Sequence, residues 1–195
     1  MSNQKTISTA QLYRNLMLRA KNLVLQPRSE WATVRSERKN LNEVLSEFSL
    51  PLISLVTLAT FLNILVNHQG FNFELALKHA ALIFTSLFGG LYLAWLLLKT
   101  VRSATGVLGD KNQIFELAAY ASGFWYLILL LTALVPELTM LNFLALYSFY
   151  ILWTYMEEIP GISREHKGLL TLLVGFSIHF LPLLVRQILF NLIHF

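Results

Sequence analysis

The chain has 195 residues, of which 55% are hydrophobic and 13% are charged, and its formal net charge is +4. An ordinary soluble domain carries about 25% charged residues, so the composition excludes that class and favours a membrane protein. The sequence contains no cysteine, which excludes disulfides, thiol catalysis, iron–sulfur clusters and cysteine-ligated zinc. A chain of this length has room for one compact bundle.

The first predicted element is an amphipathic helix over residues 10–25. Leu16 and Leu23 recur at helical spacing on one side, whereas Arg14 and Lys21 fall on the other. A helix with a basic face can lie in the plane of the lipid headgroups. It can also pack on the cytoplasmic end of a helical bundle, and the two interpretations are compatible.

Pro27 cannot donate a backbone hydrogen bond and is expected to end the first helix. A second short helix is predicted after it, from Ser29 to about Arg38. Trp31 is expected at the membrane interface, with its ring in apolar surroundings and its indole N–H in water. The basic residues around it extend a cationic surface. The candidate lipid- or partner-binding residues are Arg14, Arg19, Lys21, Arg28, Trp31 and Arg35.

Five apolar runs follow, most of them about as long as the roughly 20 residues that a helix needs to cross a bilayer. We therefore predict an all-α polytopic membrane protein, a bundle of five transmembrane helices preceded by one or two short cytoplasmic amphipathic helices. Residues 1–48 would form the cytoplasmic segment and residues 49–195 the membrane domain. Pro136 and Glu137 predict a tight turn between the third and fourth spans. The predicted spans are about 49–66, 76–98, 114–135, 138–156 and 168–193.

Small residues recur four positions apart in two predicted spans, at Gly90 and Ala94 in the second and at Ala119 and Gly123 in the third. This spacing is typical of helices that pack closely in membranes. A hinge is the alternative interpretation. Pro182 lies inside the fifth span and predicts a kink there.

Thirteen of the fifteen Lys and Arg residues lie on one side of the predicted spans. The positive-inside rule places the N-terminus in the cytoplasm and, after five crossings, the C-terminus outside. Because the basic residues flank apolar spans, the expected partner is the anionic headgroup layer of a lipid bilayer and not nucleic acid. The thirteen are Lys5, Arg14, Arg19, Lys21, Arg28, Arg35, Arg38, Lys39, Lys99, Arg102, Lys111, Arg164 and Lys167.

Three segments resemble the Yip family of multi-pass membrane proteins, first known as partners of Rab-type GTPases. Arg19 to Trp31, RAKNLVLQPRSEW, is similar to the opening of the bacterial members, in which a helix is followed by Pro, an acidic residue and Trp. Gly109 to Ser122, GDKNQIFELAAYAS, resembles the entry into the third span. Leu146 to Trp153, LYSFYILW, resembles the fourth span.

The resemblance implies five spans, a cytoplasmic N-terminus and a trafficking or membrane-organising role with no family-wide reaction. It implies the bacterial cytoplasmic (inner) membrane as the location. GTPase binding is not implied, because the short basic N-terminal segment resembles the bacterial branch.

No catalytic constellation is assembled in the sequence. Glu157 and Glu158 invite comparison with intramembrane CAAX-type proteases, but those need an Arg four residues after the second Glu, where this chain has Ile162. We favour a solvated acidic loop. Ser177 and His179 are two residues apart, and side chains at this spacing on a helix point to different faces. We therefore predict that the protein is not an enzyme.

The five histidines form no HExxH motif and no pair four residues apart, so neither a metal nor a cofactor is predicted. His179 and Arg186 are seven residues apart, near one face of the fifth helix, and ionisable groups at membrane depth are often functional. Alternatively, Arg186 extends to the outer interface and His179 bonds a neighbouring helix. Glu116 is expected either to pair with a basic loop residue or to be solvated.

The predicted function is that of a non-enzymatic membrane protein that organises membrane through its cytoplasmic face or binds partner proteins or anionic lipid there. A homo-oligomer is a further candidate assembly. The alternative is a small-solute or ion transporter subunit with a polar face at His179 and Arg186. Transport would require several polar groups to converge near the middle of the bilayer.

Overall fold

The computed structural model describes residues 8–67, 71–105 and 109–193. Lys5, His68 and His194 lie outside these ranges. Within them the secondary structure is helical, without strands, which confirms the all-α prediction. The helices are α1 (Thr9–Leu25), α2 (Pro27–Glu37), α3 (Leu41–Asn67), α4 (Phe73–Thr105), α5 (Lys111–Leu134), α6 (Pro136–Glu157) and α7 (Arg164–Ile193).

Five of the described helices, α3 to α7, are long and apolar enough to cross a membrane, and this confirms the predicted number of spans. All five begin earlier than the predicted spans, α3 and α7 by the most. α3 begins at Leu41 and not at 49, because Asn40 and Glu43 form a capping box at its N-terminus. α7 begins at Arg164 and not at 168. Hydropathy locates the apolar run, whereas the helices continue into polar turns beyond it.

Two spanning helices contain irregular segments that the sequence did not predict. In α3, Leu45–Ser49 is a π-helical segment. In α6, Pro136–Leu146 is a 3-10 helix and Tyr147–Glu157 is α-helical. The predicted turn before α6 lies at Val135, where the backbone becomes extended.

The two predicted small-residue pairs each contain a glycine at a close helix contact. A Cβ built on Gly90 of α4 would lie 2.5 Å from the Cα of Pro182 in α7 and 2.6 Å from its N. A Cβ on Gly123 of α5 would lie 2.5 Å from the ring of Phe48 in α3. The prediction of close packing is confirmed at both glycines. A hinge at these positions and a kink at Pro182 stay predictions.

We expect Gly90→Ala to lower the free energy of unfolding by about 1–3 kcal/mol, the usual cost of overpacking a tight core. The added methyl group overlaps the backbone of Pro182, which cannot move aside as a flexible side chain would. Gly89→Ala is the matched control, because its Cβ would make an ordinary contact of 3.7 Å with Val185. Thermal unfolding in detergent compares the two variants, and equal melting temperatures would contradict the close approach of α4 and α7.

The two short helices form a pair at one end of the bundle, called the α1–α2 hairpin below. α1 packs against α5 and the start of α3, and α2 packs against α6. The spans alternate in direction, so the hairpin end contains the N-termini of α3, α5 and α7. The opposite end contains the C-termini of those three helices and the N-termini of α4 and α6.

Candidate functional sites at the two ends of the bundle

Trp31 joins the α1–α2 hairpin to α6. Its side chain is 0% exposed, and its indole N–H donates to the carbonyl oxygen of Ile151 at 2.9 Å. The ring meets Tyr155 edge-on with centroids 4.9 Å apart and Tyr120 at 6.3 Å. The expectation of a Trp31 N–H in water is therefore wrong: an aromatic pocket removes the ring from solvent, and a helix carbonyl satisfies the donor.

Arg19 is the centre of a partly buried charge network within the hairpin. It donates to Glu30 at 2.6 Å and to the two carboxylate oxygens of Glu37 at 2.6 and 2.5 Å. Its guanidinium also lies over the ring of Tyr120, 5.5 Å from the centroid. These contacts fix α1 against α2, since hydrogen bonds between a guanidinium and carboxylates are about twice as strong as those between neutral groups.

The pKa values of this pair follow from its geometry. Burial alone would lower the pKa of Arg19, but the hydrogen bond to Glu37 and the neighbouring negative charges raise it above its ordinary value. Burial alone would raise the pKa of Glu37, but the hydrogen bond and positive charge of Arg19 lower it below its ordinary value. Both groups are therefore charged at neutral pH.

Two further arginines connect α2 to the end of α6. Arg28 pairs with Glu157 at 2.6 Å, and Arg35 pairs with Glu158. Arg35 also lies over the ring of Tyr155, 5.5 Å from the centroid. The interpretation of Glu157 and Glu158 as a plain solvated acidic loop thus needs correction, because both carboxylates hold arginines of the hairpin.

The candidate residues on α1 that remain exposed lie on its outer face. Arg14 and Lys21 are exposed, and the large apolar side chains beside them, Met17, Leu18 and Leu25, are 45%, 47% and 65% exposed. We call these five residues the exposed face of α1. The side of α1 that the bundle covers carries Leu16, Ala20 and Leu23. The helix therefore has an apolar surface that the bundle does not cover, in addition to the one that it does.

The tip of the hairpin lies beside the body of α6 and not beyond its end. The hydroxyl of Tyr147 donates to the carbonyl oxygen of Val24 at 2.9 Å. Tyr147 precedes the end of the helix at Glu157 by ten residues, about 15 Å at a rise of 1.5 Å per residue. The connection between α1 and α2 therefore lies beside α6, one of the helices long and apolar enough to cross a membrane.

Glu116 lies near the N-terminus of α5, at the end of the bundle that the hairpin covers, and its side chain is buried. It is 3% exposed, and its Oε1 has no hydrogen-bond partner among the described residues. The backbone of Lys39 faces the carboxyl group. A solvated Glu116 is therefore wrong, because the hairpin and the start of α3 cover the entry of α5.

At the opposite end, a cavity of about 680 Å³ lies among all five spans, and we call it the five-helix cavity. His179 and Arg186 both line it, so the structure brings the two intramembrane candidates to one site. The sequence analysis missed its other polar members, although amide and hydroxyl groups near the same end of several spans were a signal. Those members are Thr60, Asn63, His79, Thr132, Thr139 and Asn142.

His179 is held by its own helix and by aromatic rings. Its Nδ1 is 2.8 Å from the carbonyl oxygen of Gly175. The ring stacks on Phe149 at 5.7 Å and lies 4.9 Å from Trp125. Contact with neighbouring helices is made through the ring faces and at the backbone of Ala145 in α6, which lies close to the buried imidazole.

The chemical constellations considered from the sequence are not assembled. The hydroxyl of Ser177 donates to the carbonyl oxygen of Leu173 at 2.6 Å, so it is committed to its own helix and not to His179. Within the described ranges, no three His, Asp or Glu side chains come together as a metal site requires.

Comparison with known proteins identifies the family. A family model described as the Yip1 domain matches residues 21–185, from α1 to the last turns of α7 and across all five spans. A search of curated proteins and a search of solved structures found no match. Since the matched region covers most of the chain, the protein belongs to the Yip1 domain family, as the resemblance implied.

Proposed function

We propose that this Yip1 domain protein is a non-enzymatic membrane organiser that holds the exposed face of α1 against an anionic leaflet. One observation carries the proposal: two cations and three large apolar side chains share the face of a helix whose other side is buried against the bundle. A surface with this mixture suits the boundary between headgroups and acyl chains. By the positive-inside rule, this leaflet is the cytoplasmic one.

The candidate cations divide into two roles. Arg19, Arg28 and Arg35 bind carboxylates of the chain itself and hold the hairpin in place. Arg14 and Lys21 are exposed and remain to attract lipid. A Lys or Arg near an anionic leaflet contributes about 1 kcal/mol, so the electrostatic attraction is modest and adds to the anchoring by the five spans.

The apolar residues contribute more to the binding free energy than the cations do. Burying a Leu or Met side chain is worth about 1.5–3 kcal/mol. The docked hairpin presents Met17, Leu18 and Leu25 on a helix that is already folded, so little ordering entropy opposes their entry into lipid. Because the hairpin lies at one end of the bundle, it would occupy area in one leaflet and not in the other. That asymmetry is the physical basis for an effect on membrane shape.

The five-helix cavity supplies polar groups that a transporter would need, but the described core of the bundle leaves no path by which a solute could cross. Between the cavity and the hairpin, the interior of the bundle is filled by large side chains such as Tyr120, Tyr126 and Leu52, each at most 2% exposed. A solute would have to displace this core to cross. The packing therefore favours a cavity that binds over one that conducts.

A single fluorescent label tests the proposal. The chain has no cysteine, so Leu18→Cys gives one attachment site for an environment-sensitive dye. In vesicles with anionic lipid we expect blue-shifted emission, protected from a water-soluble quencher. Arg14→Gln together with Lys21→Gln should reduce the protection several-fold, since about 2 kcal/mol of attraction is lost.

Ser36→Cys, at an exposed position on α2 and not on α1, is the control label and should respond to the quencher in vesicles with or without anionic lipid. High salt should also weaken the protection at position 18, because it shortens the screening length. Equal quenching at the two positions in anionic vesicles would count against the proposal.

A further inference from the structure

The five-helix cavity lies at the end of the bundle opposite the hairpin, and each span contributes to it. Asn63 comes from α3, His79 from α4, Thr132 from α5 and Asn142 from α6, while α7 contributes His179 and Arg186. Its volume of about 680 Å³ lies within the range of about 300–1,000 Å³ that is typical of ligand sites.

One polar atom of the cavity lacks a partner. Asn63 Nδ2 is buried and makes no hydrogen bond with the described residues. The imidazole of His179, by contrast, faces two backbone groups, the carbonyl oxygen of Gly175 at 2.8 Å and the backbone of Ala145. An unpaired polar group at membrane depth is costly. The cavity therefore suits a ligand that offers an acceptor to Asn63.

The charge of the cavity selects an anion. Among the described residues that line it, Arg186 is the one that is permanently charged, and none is Asp or Glu. The ion pair found at this end joins Lys78 to Glu74 at 2.8 Å and does not involve Arg186. Guanidinium groups bind phosphate and carboxylate oxygens through strong charge-assisted hydrogen bonds.

The remaining lining is apolar and continues onto the lipid-facing surface. Leu146, Phe176 and Leu183 line the cavity and are 64%, 61% and 50% exposed. Acyl chains can therefore extend from the cavity along the outside of α6 and α7. An amphiphile satisfies these surfaces together with the polar groups, whereas a purely polar solute would leave the apolar ones unmatched.

We propose that the five-helix cavity binds the headgroup of an anionic phospholipid from the leaflet opposite the α1–α2 hairpin. Arg186 binds the phosphate, and Asn63 donates to a headgroup oxygen. The site is separate from the exposed face of α1 and does not depend on the function proposed for that face.

Titration of the full-length protein in neutral detergent tests this site. Trp125 lines the cavity and reports on it by fluorescence. Short-chain phosphatidylglycerol should change the emission saturably, and short-chain phosphatidylcholine should bind at least tenfold more weakly. Trp125→Phe should abolish the fluorescence change, which would assign it to the cavity.

Variants define the chemistry. Arg186→Gln should weaken phosphatidylglycerol binding about tenfold, as expected for the loss of one charge-assisted hydrogen bond, and Arg186→Lys should restore part of it. Asn63→Leu should weaken binding by a smaller factor. Lys78→Gln is the matched control, because Lys78 is a cation at the same end but does not line the cavity, and its affinity should be unchanged.

Each remaining outcome overturns the proposal. Equal weakening by Lys78→Gln and Arg186→Gln would reduce the effect to general surface charge. Displacement of phosphatidylglycerol by inorganic phosphate alone, at similar concentration, would assign the cavity to a free anion. Equal binding of phosphatidylcholine and phosphatidylglycerol would show that the cavity does not select a lipid of net negative charge.

Discussion

Replacing Trp31 with alanine is expected to release the α1–α2 hairpin from the bundle. Removing a fully buried Trp costs about 3–5 kcal/mol, and here the change also breaks the hydrogen bond to the carbonyl oxygen of Ile151. The spans should still fold, because their contacts with one another do not include this residue. The loss should therefore appear as local opening of the hairpin and not as global unfolding.

A buried cysteine measures that opening. Ala20 is 3% exposed at the contact with the bundle, so a thiol introduced by Ala20→Cys should react slowly with a maleimide. Trp31→Ala should accelerate the reaction by at least a hundredfold, which corresponds to about 3 kcal/mol. Trp95→Ala is the control, because Trp95 bonds the carbonyl oxygen of Lys111 and packs against Tyr92 and Phe115, which belong to the spans and not to the hairpin. Equal acceleration by both variants would contradict the role of Trp31.

Replacing Arg19 with methionine should have the second largest effect. The change keeps much of the side-chain volume but leaves Glu30 and Glu37 without their shared partner. Removing one member of a fully buried ion pair costs about 3–5 kcal/mol. Because Glu37 is 31% exposed, we expect about 2–3 kcal/mol, measured by the same cysteine reaction. Arg28→Gln is the matched control, since its 68% exposed side chain makes a surface pair worth about 0–1 kcal/mol.

The same network predicts how hairpin docking depends on pH. The pKa of Glu37 is lower in the docked state than in the unfolded chain. Its contribution is therefore complete above the ordinary carboxyl pKa and is lost as the pH falls through the lowered value. Hydrogen exchange of α1 and α2, corrected for intrinsic rates, should increase as the pH falls from 6 to 3. Arg19→Met should remove most of this dependence, and an unchanged profile would exclude the pair as its cause.

The number of spans was predictable from the sequence because it depends on local composition. An apolar run long enough to cross a bilayer has few alternatives to a helix. The starts of α3 and α7 were less predictable, since caps such as Asn40 and Glu43 extend the helices through polar residues that hydropathy does not count. The 3-10 segment of α6 carries no distinctive local pattern, and its apolar residues are compatible with a regular α-helix.

The hairpin contacts could not be predicted because they join residues far apart in the chain. Trp31 bonds Ile151, and Arg28 pairs with Glu157. The sequence around one partner gives no indication of which distant residue it contacts. A tryptophan before a span is equally compatible with a side chain at the membrane interface and with one that is buried inside the protein. The presence of basic residues was evident, but the division between structural arginines and exposed cations depends on tertiary packing.

The five-helix cavity was partly predictable. The seven-residue spacing of His179 and Arg186 places both toward one side of α7, where the structure has them lining one cavity. Asn63 was not identified, because a single amide in an apolar helix gives no indication of which neighbour it faces. Its place in the cavity depends on the arrangement of α3 relative to α7.

The central claim is that the exposed face of α1 lies in lipid while its other side is bound to the bundle. A spin-label scan with single cysteines from position 13 to position 25, in vesicles with anionic lipid, tests it most directly. We predict that labels at Met17, Leu18 and Leu25 are relaxed by oxygen but not by a water-soluble nickel complex, and that labels at Leu16 and Ala20 are shielded from both. Nickel access at positions 17, 18 and 25 equal to that at an exposed α2 site would contradict the account.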